Sequence, residues 1–258
     1  HSGQMVQLCG DAHILNFGFY ASPERQLLFD INDFDETFPG PYEWDVIRLA
    51  TSVLLAAQSN GFGSEEQEEI CVTALRAYAQ AMAEFAEMPF LAMWPSHLSR
   101  QRLLDKGGSK NLRNHLKEVV SAALKRDSRQ AVKKLCEIGI DGEYRFKNDP
   151  PLIWRVEQLP ESWREKLDWD EWGPQMFASY FKSVRPDVRH VFSHYRLVDS
   201  AIKVVGVGSV GTRCAISLFV GQHPDDLLIL QGKEAMPSVL SRYLDQPSPE
   251  HQGQRVVQ

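Results

Sequence analysis

The 258-residue chain has 43% apolar and 24% charged side chains, enough apolar material for one large domain or two lobes. Its net charge of −6 argues against a nucleic-acid partner, which needs a broad basic field, but leaves room for a local basic pocket that meets phosphates. No apolar run reaches the roughly 18 residues of a membrane span. The four cysteines, Cys9, Cys71, Cys136 and Cys214, form no CxxC pair and read as reduced thiols of a cytoplasmic protein.

The chain opens at His1 without an initiator methionine, enters a polar motif almost at once and stops at Gln258, so a piece of a longer protein is expected. Residues 5–35 read as loop and strand, with Ser22 and Pro23 supplying the turn of a β-hairpin. "WDVIRLATSVLLAAQSNG" predicts a buried helix ending at Gly61. A second helix follows, with Ser64 and Gln67 as its capping box, a stripe through Ile70, Leu75, Tyr78, Met82 and Phe85, and Pro89 as its stop. Residues 109–138 predict two amphipathic helices broken near Asp127 and Ser128. "GEYRFKNDPPLIWRV" reads as irregular or short strands. Two further segments, from Pro160 to Val184 and from Pro186 to Ile202, read as helical, each with proline near its start. Beyond about residue 200 the texture becomes β-branched and glycine-rich. The expected division is therefore a catalytic-loop and helical lobe over 1–200 and a glycine-rich β lobe over 201–258, incomplete at its C-terminus.

Five stretches carry candidate chemistry. In "LCGDAHILNFG", Asp11 and Asn16 stand five residues apart behind Gly10, with His13 between them. Kinase-type phosphotransferases use that spacing: the Asp meets the acceptor hydroxyl, and the Asn reaches back to magnesium on the nucleotide phosphates. The alternative is a polar turn in which both side chains cap backbone amides. In "FDINDFDE", Asp30, Asp33, Asp35 and Glu36 crowd one strand end. Such carboxylates repel one another unless a cation sits among them, and magnesium takes one or two carboxylates plus phosphates.

"VGVGSVG" places Gly206, Gly208 and Gly211 in a G-x-G-x-x-G pattern with Ser209 inside it. A β-type segment follows, so the pattern suits a loop that covers phosphates rather than a dinucleotide fingerprint, which needs a helix there. Lys233, about twenty residues on at a strand end, matches the position of a lysine that pairs nucleotide phosphates. Asp45, at a helix start, either caps that helix or braces the Asp11 loop. His190 and His194 lack the glutamate of an HExxH zinc site.

"GDAHILNFG", "FDINDFDETFPGPYEWDVIRLATS", "VVGVGSVGTR" and "LQGKEA" resemble the hallmark stretches of a bacterial family of uncharacterised proteins, domain-of-unknown-function family 2252, in order along nearly the whole chain. A more distant resemblance is to the aminoglycoside and choline phosphotransferase branch of the protein-kinase-like fold. That resemblance implies an α+β, two-lobed, kinase-like fold with a mostly helical middle. It implies Asp11 as base, assisted by His13, with Asn16 and Asp33 as metal ligands and Asp30 or Asp35 as substitutes for Asp33. Asp45 would be the structural aspartate. Gly206, Gly208, Ser209, Gly211 and Lys233 would hold the nucleotide. Two departures stand out: Cys9 replaces the histidine before Gly10, and the catalytic-type loop precedes the glycine loop by about 190 residues, which requires a circular permutation. The glutamate that should pair with Lys233 is either Glu250 or absent from this chain.

Three functions follow as expectations. The first is an ATP- and magnesium-dependent phosphotransferase on an unknown small-molecule or protein acceptor. The second is a nucleotide-binding protein that transfers nothing, or transfers AMP. The third is a metal-dependent hydrolase built on His13, Asp30, Asp33 and Asp35.

Overall fold

The computed structural model describes residues 2–106, 108–124, 128–167, 169–204, 212–223, 225–247 and 249–257. The chain divides into two compact units, one formed by His1–Leu124 with Ala235–Gln258 and the other by Lys125–Glu234.

In the first unit, strand β1 (Met5–Leu8) is followed by the expected hairpin of β2 (Phe17–Ala21) and β3 (Leu27–Ile31). Its turn is closed by the Ser22 amide donating to the Gln26 carbonyl, and Phe19 meets Phe29 edge-on across it at 5.1 Å. Strand β4 (Phe38–Pro41) returns antiparallel to β1, setting Leu8 opposite Phe38, and both side chains are fully buried.

Helix α1 (Glu43–Ser59) ends as expected, because Gly61 takes φ +79°, a left-handed conformation that stops a helix. Helix α2 (Ser64–Ala86) packs on α1. Its cap lies one residue earlier than the sequence suggests: Gly63 is the cap, and Glu66 Oε2 accepts from the Gly63 amide at 2.9 Å. Glycine fits because the reciprocal bond needs only its backbone N–H. Helices α3 (Phe90–Met93), α4 (Arg100–Lys106) and α5 (Lys110–Leu124) complete this run.

The second unit starts with α6 (Ser128–Leu135), so the pair of amphipathic helices expected over 109–138 is present. Strands β5 (Cys136–Ile138) and β6 (Tyr144–Phe146) pair with each other. Strand β7 (Ile153–Arg155), helices α7 (Glu161–Leu167), α8 (Trp169–Ser183) and α9 (Pro186–Phe192), and strands β8 (Arg196–Lys203), β9 (Cys214–Val220) and β10 (Leu227–Lys233) follow. The last helix expected from the sequence is therefore too long. It stops at Phe192, and Arg196–Lys203 is a strand paired with β7 on one side and β9 on the other. Partners distant in sequence override the local helical pattern there. The change of texture near residue 200 falls inside this strand.

The four strands form an antiparallel sheet in the order β10-β9-β8-β7. Cys214 through Phe219 of β9 are buried without a break, as a central strand covered on both faces requires. Phe146, Ala201, Ile216 and Leu218 make the core beside it. Within it lies an ion pair: Asp199 accepts from Arg155 Nε at 3.1 Å and from the Phe146 amide at 2.7 Å.

The chain then returns to the first unit through a 3-10 turn at Val239–Arg242 and helix α10 (Gln252–Val257). Among the described residues no helix is long and apolar enough to cross a membrane. The architecture is α+β, with helices around small antiparallel sheets.

Candidate functional site

Gly10 explains why a glycine precedes Asp11. It takes φ +86°, and a Cβ there would lie 2.0 Å from the Glu36 carbonyl oxygen. Only glycine satisfies both the left-handed conformation and the close approach. The loop from Cys9 to Asn16 is thereby held against the acidic segment that follows β3.

One face of α1 grips this loop. Asp45 accepts from the Cys9 amide at 2.7 Å and the Gly10 amide at 3.0 Å. Arg48 Nε donates to Asp11 Oδ1 at 2.8 Å. The Ser52 hydroxyl accepts from the Ile14 amide at 2.9 Å. Positions 45, 48 and 52 are three and four apart, the spacing that puts side chains on one stripe of a helix. Asp45 therefore braces the Asp11 loop instead of capping its own helix, whose N-terminus has no side-chain cap bond. Burial raises its carboxyl above the ordinary carboxylate value, against the opposing pull of the two amide bonds.

Asn16 is buried and ties the loop to the acidic segment. Its Nδ2 donates to the carbonyls of Asp33 at 2.9 Å and Asp11 at 3.1 Å, and its Oδ1 accepts from the Asp33 amide at 2.8 Å. One lone pair of that oxygen is left for a further partner. Cys9 is buried beside it, its thiol directed to the Asp33 carbonyl. Burial raises the Cys9 pKa and nearby Asp45, Asp11 and Asp33 add to the effect, outweighing a backbone bond from Asp11. Burial and the surrounding carboxylates thus favour the protonated thiol over the thiolate.

Asp11 and His13 are brought together, with His13 Nε2 3.5 Å from Asp11 Oδ2, and both are partly open to solvent. A carboxylate beside an imidazole can receive and relay a proton from a hydroxyl held in front of it. Asp33 turns its Oδ1 to the Asp35 amide at 3.1 Å, and Asp30 accepts from the Ile31 amide at 2.9 Å. Among the described residues no three His, Cys, Asp or Glu side chains converge on one point.

Arg255 carried no signal in the sequence, and Glu36 stood out only as one carboxylate of the acidic strand end. Glu36 accepts from the Ser238 hydroxyl at 2.9 Å and the Val239 amide at 2.8 Å. Arg255 is buried and donates to the carbonyls of Asp35, Thr37 and Met236. Together they anchor the C-terminal segment on the acidic loop. Nothing local in the sequence announces these contacts, since they join residues about two hundred apart. Arg48 and Ser52 carried a signal in their helical spacing from Asp45.

Gly206, Gly208, Ser209 and Gly211 lie outside the described residues. Lys233 closes β10 in the second unit, opposite Cys214, with an exposed side chain. Its neighbour Glu234 pairs with the Arg213 backbone, accepting from that amide at 3.0 Å.

No curated protein and no solved structure matches the chain. The family model described as "Uncharacterized protein conserved in bacteria (DUF2252)" matches residues 1–258, and the chain belongs to that family.

Proposed function

We propose that the chain is an ATP- and magnesium-dependent phosphotransferase of kinase-like, circularly permuted design, acting on a hydroxyl of a small-molecule or protein acceptor. The observation that carries this reading is the braced loop. Asp45 and Ser52 hold its backbone while the Asp11 carboxylate stays partly open to solvent beside His13. In the reaction, an acceptor oxygen attacks the γ-phosphorus, the bond to the β-phosphate oxygen breaks, and ADP leaves. Asp11, with His13 behind it, takes the acceptor proton. Asn16 with Asp33, or with Asp35 or Asp30 in its place, would hold magnesium, which offsets phosphate charge. Most of the acceleration would come from positioning and charge stabilisation. Lys233 and the glycines at 206, 208 and 211, with Ser209, are assigned to nucleotide phosphates on the sequence pattern.

A second reading is favoured by Arg48. A guanidinium 2.8 Å from Asp11 competes for the anion that must accept a proton. That pairing suits a protein that binds a nucleotide without phosphoryl transfer, or moves its AMP part. Calorimetric titration of ATP with and without magnesium, on the wild type and on Asp33→Ala and Lys233→Ala, tests the shared premise. Magnesium-dependent binding that weakens in both variants is expected. No binding to folded protein overturns both readings. Given binding, loss of ADP release on Asp11→Asn across a panel of hydroxyl acceptors supports transfer. ATP binding with no turnover on any acceptor supports the second reading.

A further inference from the structure

The second unit contains a solvent-open pocket of about 490 Å³ among α8, α9, β8 and β9, lined by none of the residues assigned a role above. That volume lies in the range of small-molecule sites. Its wall is aromatic: Phe177 meets Phe219 edge-on at 5.6 Å, and Phe181 meets Phe192 at 5.4 Å. Stacked and edge-on rings of this kind form a stiff apolar wall that suits a flat or branched hydrocarbon body.

Among the described residues, Arg189 is the one charged group lining the cavity. One of its terminal nitrogens donates to the carbonyls of Lys182 at 2.7 Å and Val184 at 3.2 Å, which fixes the guanidinium in place. Among the described residues it pairs with no carboxylate, whereas Arg185 nearby is spent on Asp187. The other polar groups of the wall are satisfied: the Ser193 hydroxyl donates to the His190 carbonyl and the Tyr195 hydroxyl to Asp226. The cavity therefore combines an apolar body site with a single held cation.

We infer that this cavity binds a small apolar carboxylic acid, its hydrocarbon part against the phenylalanines and its carboxylate on Arg189. The Arg189 guanidinium supplies the positive charge and N–H donors that a carboxylate needs. The inference stands apart from the phosphotransferase reading and uses none of its residues.

The test is ligand-observed NMR and calorimetry on the full 258-residue chain with matched pairs: 4-phenylbutyrate against 4-phenylbutanol, and 2-naphthylacetate against 2-naphthaleneethanol. The acids are expected to bind at least about tenfold tighter than the alcohols, as a charge-assisted bond implies. Arg189→Gln should abolish that preference and leave the alcohols unchanged. Leu197→Trp, which fills the cavity, should weaken both. Equal binding of acid and alcohol to the wild type overturns the inference. So does failure of every acid to bind protein whose circular dichroism is that of a folded chain, or binding untouched by either substitution. The acid-to-alcohol comparison on wild type needs no variant to fold.

Discussion

The two units solve the same problem in opposite ways. The second satisfies its backbone with a ladder of strands, so β9 can commit six successive residues to burial. The first presents a polar loop, Cys9 to Asn16, that has no ladder of its own. Several of its amides and carbonyls are met instead by side chains, those of Asp45, Ser52 and Asn16, while Glu36 and Arg255 do the same for the segments beside it. Buried backbone groups must be paired in either case. A sheet pairs them by repetition, whereas an irregular loop needs a specific polar residue for each. Stability in the second unit should therefore be spread over apolar area, and in the first concentrated in a few polar contacts.

The exception within the second unit gives the largest expected effect. Asp199→Ala leaves the buried Arg155 with only the exposed Glu157 as its carboxylate partner and takes the acceptor from the Phe146 amide. It should cost about 3–5 kcal/mol in a urea melt. The double variant Arg155→Met with Asp199→Leu should recover the part due to the stranded charge but not the part due to the Phe146 amide, which still lacks its acceptor. If it recovers nothing, the ion pair is more than a replaceable filler and the contrast between the units fails.

In the first unit, Arg255→Met should cost about 1–3 kcal/mol, since the buried Thr37 carbonyl and the partly buried Asp35 and Met236 carbonyls lose their donor while the volume is kept. Proteolysis should then release the C-terminal segment first. Loss below about 0.5 kcal/mol would mean that water replaces the guanidinium and the anchoring is nominal.

Gly10→Ala should cost about 2 kcal/mol or more from the left-handed φ and the collision with the Glu36 carbonyl. Asp45→Asn should be milder, since an amide oxygen can still accept one of the two backbone bonds.

The smallest effect is a pH dependence. Burial pushes the Cys136 thiol up to about 12 from its ordinary 9.0, with the Asp199 charge adding to the rise and Lys147 opposing it. A thiol with a raised folded pKa keeps the folded state fully favoured below 9.0, and stability declines as pH climbs from there toward about 12. Cys136→Ala should flatten the melting temperature across that alkaline window. An unchanged slope would place the alkaline loss elsewhere.

Much of the first unit was legible because its signals are local. The hairpin turn at Ser22 and Pro23 and the helix stop at Gly61 both depend on chain neighbours. Asp45 carried two readings, and only the fold chose between them, by bringing the Cys9 and Gly10 amides to its carboxylate. The strand at Arg196–Lys203 was misread as helix because its identity comes from β7 and β9, not from its own residues.

By itself, the sequence determined the α+β class, the positions of most helices and the polar loop around Asp11, since propensity, capping and turn chemistry act over a few residues. Tertiary structure alone decided the grip of α1 on that loop, the Glu36 and Arg255 anchors, the Arg155–Asp199 pair and the aromatic cavity at Arg189. Each of these joins residues far apart in the chain. Their worth depends on burial and on geometry within an ångström, and both arise only once the elements have packed.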